Sequence, residues 1–466
     1  MRPRHRKHFF GLLRFTTLWL VSPLACLLAI RLIWGVESSQ RLAAVQQELR
    51  AAGIRFERPP ASVADDDNPA VALQKAAALL QLSRDEEVVL WGDESVPWSE
   101  YKRTPGDQQK AIEIVRSREE VFRWVDEAGR RKGAIVQKDA SLVPPLGWSR
   151  TLSRLLLAAM QMDHERGDDA AALHELQRIY TVARAVDHGG TLISNLVAIA
   201  IRAMLASGVE YLEPSLRLRL EDGSVAQARQ LLNLLDDPAP VDAVAWNFEQ
   251  EIGKAAAFAD QSGFNAWWIR PLRDDEVARS QRTNAKTVAG TRASNLAEAN
   301  KLFPAGLPTP LETNLNRIVY WEESYSSAFT PRIMLLHFRG RCDNAAAAVL
   351  LACRIYQAEQ GAFPKTLGEL SPGYLPAAPD DPFLPAHGPL HYRVDPDGPT
   401  VWSVGENSHD DGAVVLFGPD GTKLRRHGNQ LDKVYGAGWR TATPPASAAA
   451  PAAAAPAGTA TAPAGQ

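Results

Sequence analysis

Apolar and polar positions divide the chain into stretches of different character. Phe15 to Ile30 carries no charge, and Arg31 is followed by the apolar run Leu32-Ile33-Trp34-Gly35-Val36. From Ser38 to Ala52 the sequence turns polar but stays helix-favouring up to Gly53, which predicts an outward continuation of the same helix. Asn68 is placed to cap a helix over 70–82. Ile112, Val115, Val121, Phe122 and Val125 predict one amphipathic helix over 108–127. The strongest pattern spans 149–212. Leu152, Leu155, Leu156, Ala159 and Met160 form one stripe, broken at Gly167. Asp168 caps a second helix over 170–186, with Leu173, Leu176, Ile179 and Tyr180 inward. Thr191, after Gly189-Gly190, caps a third helix that is apolar almost all round and therefore central. Further helices are expected at 225–235, 241–258 and 315–329, with a loop-rich polar tract over 260–310.

At Asp343 the pattern changes again. A helix over 344–360, closed by Gly361 and Pro364, precedes three strand-like segments at 390–394, 400–404 and 413–417. Asp395-Pro396-Asp397-Gly398 and Pro419-Asp420-Gly421 are turn signals between and after them. The expected fold is mainly α: a basic segment over 1–14, a transmembrane helix over 15–36, and a helical bundle or solenoid-like region over 37–340. A small α+β module over 341–440 and an Ala/Pro-rich tail over 441–466, too poor in large apolar residues to fold, complete the chain.

Charge sharpens the reading of the N-terminus. Of 51 Lys and Arg residues, six lie in residues 1–36 with no acid among them, leaving 45 bases against 54 acids beyond. The uncharged run spans roughly 24 Å, and Arg14 and Arg31 can snorkel to reach the two faces of a hydrocarbon core about 30 Å thick. The basic start places the N-terminus in the cytoplasm and the body outside it, in the periplasm. Arg31 and Trp34 occupy the zone where signal cleavage would need small residues, and Pro23-Leu24-Ala25-Cys26 is a poor lipid-attachment motif. The helix over 192–205 contains Asn195 and Arg202 and reads as a buried core element. The acidic body argues against nucleic acid, whose phosphates are bound chiefly by basic side chains.

No recognised catalytic pattern is present. His164-Glu165 and His174-Glu175 lack the second His of a zinc-protease helix, and Gly388-Pro389 keeps His387 and His391 off a common helical face. Cys342 and Cys353, eleven residues apart along one predicted helix, are too distant to bridge. Arg202 suits either an anionic ligand or a carboxylate partner, and Trp267-Trp268 suits either packing or stacking on a sugar or peptide. Two alternatives stand beside a non-catalytic, structural or protein-interaction role in the envelope. One is a hydrolase with a site assembled from distant residues. The other is a glycan or small-ligand binder.

One resemblance emerges from the distal module. Tyr356 followed by Gly361-Ala362-Phe363-Pro364, Leu367 with Leu370, Asp381-Pro382-Phe383, Pro389-Leu390-His391-Tyr392 and Ser403-Val404-Gly405 occur in that order. Over residues 356–413 the chain resembles the C-terminal part of the major pseudopilins of type II secretion. The whole is similar to bacterial membrane-anchored helical proteins that carry such a module after a helical region. The resemblance implies calcium in the loop after Ser-x-Gly, held by Ser403, Asn407, Asp410 and Asp411, oxygen donors suited to a hard cation. It also implies a protein partner in secretion or pilus-like machinery. Two features depart from it: the segment after Gly11 reads Leu-Leu-Arg-Phe-Thr without the prepilin glutamate, and Asn407-Ser408 stands where an Asp-Gly is common.

Overall fold

The structure is a computed structural model that describes residues 3–54, 64–92, 98, 101–132, 147–187, 191–237, 242–249, 269–303, 321–415, 417 and 432–438. Side chains are described from residue 23 in the first helix and from residue 332 in the last. Among these residues the protein is mainly helical, with one small antiparallel sheet.

Helix α1 (Pro3–Ala51) is unbroken and ends where Gly53 adopts φ +80°. Near the end of its apolar segment and beyond, it buries Arg31, Ser38, Val45 and Leu49, a spacing of seven or four residues that keeps one seam on a neighbour. The neighbour is the helix Arg270–Thr291. Helices α2 (Pro69–Leu79), α3 (Arg84–Trp91), α4 (Pro105–Arg116) and α5 (Glu119–Arg130) follow. Asn68 accepts from Ala70 N at 3.0 Å, as its position predicts. The helix it caps stops at Leu79, because Ser83 and Glu86 form a capping box that starts α3. The single helix expected over 108–127 is two helices, broken at Ser117-Arg118, where the Ser117 hydroxyl turns back to donate to Ile114 O at 2.7 Å.

The bundle centre is α6 (Gly147–Glu165), α7 (Asp169–Asp187) and α8 (Leu192–Leu212). Asp168 accepts from Ala171 N at 3.0 Å, and Thr191 forms a capping box with Ser194. Leu152, Leu156, Leu173, Leu176, Ile179 and Leu205 are fully buried in one core. Each such leucine contributes about 2 kcal/mol of burial before its ordering cost. Gly208 sets the spacing: a β-carbon there would lie 2.6 Å from Leu176 Cδ2 and 3.2 Å from Leu157 Cδ2. Helix α7 is tied to α5 by Arg178, which donates to both Asp126 oxygens at 2.7 and 2.6 Å and also to the buried Glu175. The segment Leu192–Ser215 is long and apolar enough to cross a membrane, yet 56% of its 18-residue apolar window is buried inside the protein.

Helix α9 (Ser224–Leu235) and the helical residues 242–249 (α10) precede α11 (Arg270–Thr291) and α12 (Leu296–Lys301). The last two correct the loop-rich reading of 260–310. The face α11 buries includes Asp274, Gln281, Thr287 and Thr291 beside Val277 and Val288, so no apolar stripe announces the helix. It runs alongside α1: Trp34 Nε1 donates to Asp275 at 3.2 Å, Ser39 Oγ to Asp274 at 2.8 Å, and Arg282 lies 3.9 Å from Glu48.

Helix α13 (Trp321–Gln360) is continuous, so the boundary expected at residue 341 falls inside it. Strands β1 (His391–Asp395), β2 (Gly398–Ser403) and β3 (Lys433–Gly436) form a sheet in the order β1-β2-β3, both pairs antiparallel. The first two match the expected strands and turn at Pro396-Asp397. The third expected strand is a correction. Gly412 and Ala413 adopt φ +75° and +61°, which bends residues 413–415 out of the sheet, and β3 takes their place. Gly436 (φ +75°) permits the close pairing, since a β-carbon there would meet Pro399 O at 2.4 Å. Tyr435 donates to Asp343 at 2.8 Å, and Val401, Tyr435 and Leu350 of α13 share the main core. The expected tail over 441–466 lies outside the described residues.

Candidate functional site

The bundle and the sheet-bearing segment enclose a half-open cleft of about 340 Å³. Three elements and one loop build it. Helix α8 supplies Ile199 and Arg202, the C-terminal end of α9 supplies Leu235 and Asp236, and α13 supplies His337, Gly340, Arg341 and Asn344 at helical spacing. The loop over 379–382 closes one side with Asp380. Gly340 lets α8 approach, since a β-carbon there would lie 3.4 Å from Ile199 Cγ2.

Arg202 is buried and donates to the buried Asp187, so of its two sequence readings the carboxylate partner is the one found. Asp187 O in turn accepts from Asn247 Nδ2 at 2.6 Å. His337, 4% exposed, lies 3.1 Å through Nε2 from Thr291 O. A carbonyl only accepts, so Nε2 carries the proton and Nδ1 holds a lone pair. Burial first, then Arg341 and Arg202, push the imidazole down to about 3 against the opposing pull of that carbonyl. It is neutral near pH 7 and a weak base.

Arg341 donates to Ala293 O at 2.8 Å and Ser294 O at 3.3 Å, and burial lowers its pKa while Asp380 opposes the shift. Together His337 and Arg341 therefore occupy carbonyls at the C-terminal end of α11, which would otherwise lack partners. Across the cleft, burial and Asp237 raise the Asp236 carboxyl, and Asp237 accepts from Tyr180. Asn344 Oδ1 and both side-chain amide atoms of Asn195 are buried with no hydrogen-bond partner. Two guanidiniums set opposite the carboxylates of Asp236 and Asp380, with Asn344 Oδ1 unspent, suit a small polar ligand bearing both charges. His337, a weak base, is a poor proton acceptor in this cleft.

Of these residues the sequence reading singled out Arg202 alone. His337 and Arg341 fall between the helices expected over 315–329 and 344–360, and only the fold, with one continuous helix there, brings α11 and the 379–382 loop to them. Trp267 and Trp268 lie outside the described residues.

The four oxygen donors expected to hold calcium are partly brought together. Asn407 Nδ2 donates to Asp411 Oδ2 at 3.0 Å, and Asn407 Oδ1 accepts from His409 N at 3.1 Å. Asp410 accepts from Trp402 Nε1 at 3.0 Å and Gly412 N at 2.9 Å; the indole bond first, then the backbone bond, outweigh burial and lower its carboxyl pKa. Ser403 faces inward and donates to Asp381 at 2.7 Å. Asp381 also accepts from Val404 N, and Asp432 accepts from Asp411 N and Ala413 N, so these two acids shape the loop from within. Among the described residues no group of three or more His, Cys, Asp or Glu side chains is arranged to hold a metal ion. The three thiols are free, and burial pushes those of Cys342 and Cys353 up to about 12.

No family model, curated protein or solved structure matches this chain.

Proposed function

We propose that the protein is a single-pass, membrane-anchored component of a bacterial cell envelope. Its body lies on the extracytoplasmic side and acts as a structural or protein-interaction element. One observation carries this reading. Leu24, Leu27, Ile30, Leu32, Ile33 and Val36 of α1 are each at least half exposed, and the same helix then docks into the body without a break. A contiguous apolar surface of this kind on a helix needs a membrane or a partner to cover it. The six bases and absent acids of residues 1–36 favour the membrane and set the orientation.

The test uses the full chain in a bacterial inner membrane. Cys26 is replaced by Ser, and Asp66, on an exposed turn, by Cys. The protein should stay with membranes in alkaline carbonate, and D66C should react with an impermeant maleimide in intact spheroplasts. Release by carbonate, or labelling only after lysis, would overturn the proposal.

A link to secretion machinery is part of the same proposal and rests on the distal-module resemblance. So does calcium, which would draw on Asn407, Asp410 and Asp411, Ser403 being committed to Asp381. A melt raised by a few degrees with calcium over chelator, and not raised in D410A/D411A, supports the ion. Coincident melts of the unaltered protein discard it.

A further inference from the structure

We propose that Ser215 is an activated nucleophile that accepts acyl groups from small apolar esters. The proposal goes beyond the anchored-scaffold reading and is independent of it.

The chemistry comes from three residues that a turn and a loop bring together. His164 is the penultimate residue of α6, and Asp169 opens α7 across the Gly167 turn. His164 Nδ1 lies 2.5 Å from Asp169 Oδ1. The other carboxylate oxygen accepts from Arg217 N at 2.7 Å, and Asp169 is only 5% exposed. His164 Nε2 lies 2.8 Å from Ser215 Oγ. An ionised carboxylate only accepts, so the Nδ1 proton belongs to the imidazole. In the neutral ring Nε2 is then a lone pair aimed at the serine hydroxyl, the arrangement in which an imidazole takes a proton from an attacking oxygen.

The surroundings fix this arrangement and leave its far end open. Ser215 ends the short 3-10 turn Glu213–Ser215, whose Pro214 restricts the backbone. Glu213 is buried and accepts from Arg354 Nε at 3.0 Å and Nη2 at 2.7 Å, which pins the turn to α13. The gradient of burial runs from Asp169 inside, through the half-buried imidazole, to an exposed Ser215. Beside the imidazole stands Tyr211, edge-on with centroids 6.3 Å apart, and Trp98 packs on Tyr211 at 5.7 Å. Both rings are half-buried and offer an apolar wall for the acyl chain.

The step balances within these groups. Ser215 Oγ forms a bond to the ester carbonyl carbon as its proton passes to His164 Nε2. The carbon–oxygen bond to the alcohol then breaks, and the proton leaves with that alcohol. Water hydrolyses the resulting acyl-serine by the same route, releasing the acid and restoring the hydroxyl. Ser215 and His164 touch the reacting atoms; Asp169 is a positioning residue.

A purely mechanical staple between the α6–α7 turn and the 213–217 loop would use the same hydrogen bonds, so the test must read reactivity. The full chain in detergent micelles is treated with a biotinylated fluorophosphonate, beside a heat-denatured control, and its p-nitrophenyl butyrate hydrolysis is followed. The expected result is a single adduct at Ser215, located by mass spectrometry. It should be absent in S215A and slowed about 10²-fold or more in H164Q. D169N should slow labelling more than about tenfold and change its pH profile, whereas loss of a staple alone would lower the melt and leave that profile intact. S215A, a small change at an exposed site, keeps the comparison valid if H164Q fails to fold. Labelling no greater than in the denatured control, an adduct elsewhere, or equal labelling in folded H164Q would overturn the proposal. Failure here leaves the membrane anchor standing, since the two are read by different measurements.

Discussion

Helix α8 has two flanks that are held by different physics. Toward α6 and α7 it meets Leu157, Met160 and Leu176 at the close approach Gly208 allows. Toward α13 it presents Ile199 and Arg202 to the cleft. Arg202 pairs with Asp187 at the C-terminal end of α7, whose carbonyl accepts from Asn247, and His337 stands nearby, bonded to Thr291 O. The first flank is stabilised by non-directional burial and tolerates modest reshaping. The second depends on each polar atom finding a particular partner, so its failures are larger and more sensitive to pH.

The largest effect should come from breaking the polar flank. R202M leaves the Asp187 carboxylate inside without its guanidinium and should cost about 3–5 kcal/mol in denaturant unfolding. Adding D187L should return most of that loss, because an apolar pair of similar size carries no desolvation penalty.

Proton linkage sharpens the contrast next. His337 titrates near 3 in the fold, against an ordinary value near 6.5, so the unfolded chain binds its proton first. Stability is therefore full above about pH 6.5 and declines as pH falls toward 3, by a loss on the order of 5 kcal/mol. H337N should flatten that limb. Glu175, beyond the apolar flank, has the opposite sign. Burial raises its carboxyl to about 8 despite Arg178, so its contribution is full below about 4.5 and is lost as pH rises through 8. E175Q should flatten the decline above about pH 6.5 and leave the limb below about 4.5 alone, both groups contributing in between. If H337N changes the profile above about 6.5, or E175Q changes it below about 4.5, the two flanks are not electrostatically separate.

On the apolar flank, L176A should cost about 3 kcal/mol with no change in the shape of the pH profile. The smallest effect belongs outside both flanks. R123A removes an exposed ion pair to Glu120 at 2.9 Å and should change the midpoint by less than about 0.5 kcal/mol.

The same division explains what the sequence made legible. Helices α6 to α8 are readable because Leu152, Leu173, Leu176 and their neighbours recur at helical spacing, with Asp168 and Thr191 marking the starts. Helix α11 is not, because its buried face is shared by Asp274, Gln281 and Thr287, which look solvent-facing until their partners on α1 and elsewhere are known. The β1–β2 hairpin is local and was readable. Strand β3 was not, because Ala413-Val414-Val415 has the better strand composition, while Tyr435 gains its place by packing on α13 and Val434 by packing with Trp402 and Ala413. Both site clusters are long-range constructions. The α8 and α13 sides of the cleft are over a hundred residues apart in sequence, and Ser215 meets His164 across a separation of 51. Periodicity reports which face of an element is inward, and says nothing about which distant element will meet it.

The seam between α1 and α11 bears on the order of events during synthesis. Trp34 and Asp275 are 241 residues apart, and α11 ends at Thr291. At elongation rates of about 5–20 residues per second, roughly 10–50 s separate the appearance of the two partners. Throughout that interval Val45 and Leu49 lack the surface that buries them. The first helix to leave the ribosome is thus among the last to find its seat, a window in which a chaperone or a second nascent chain could occupy it.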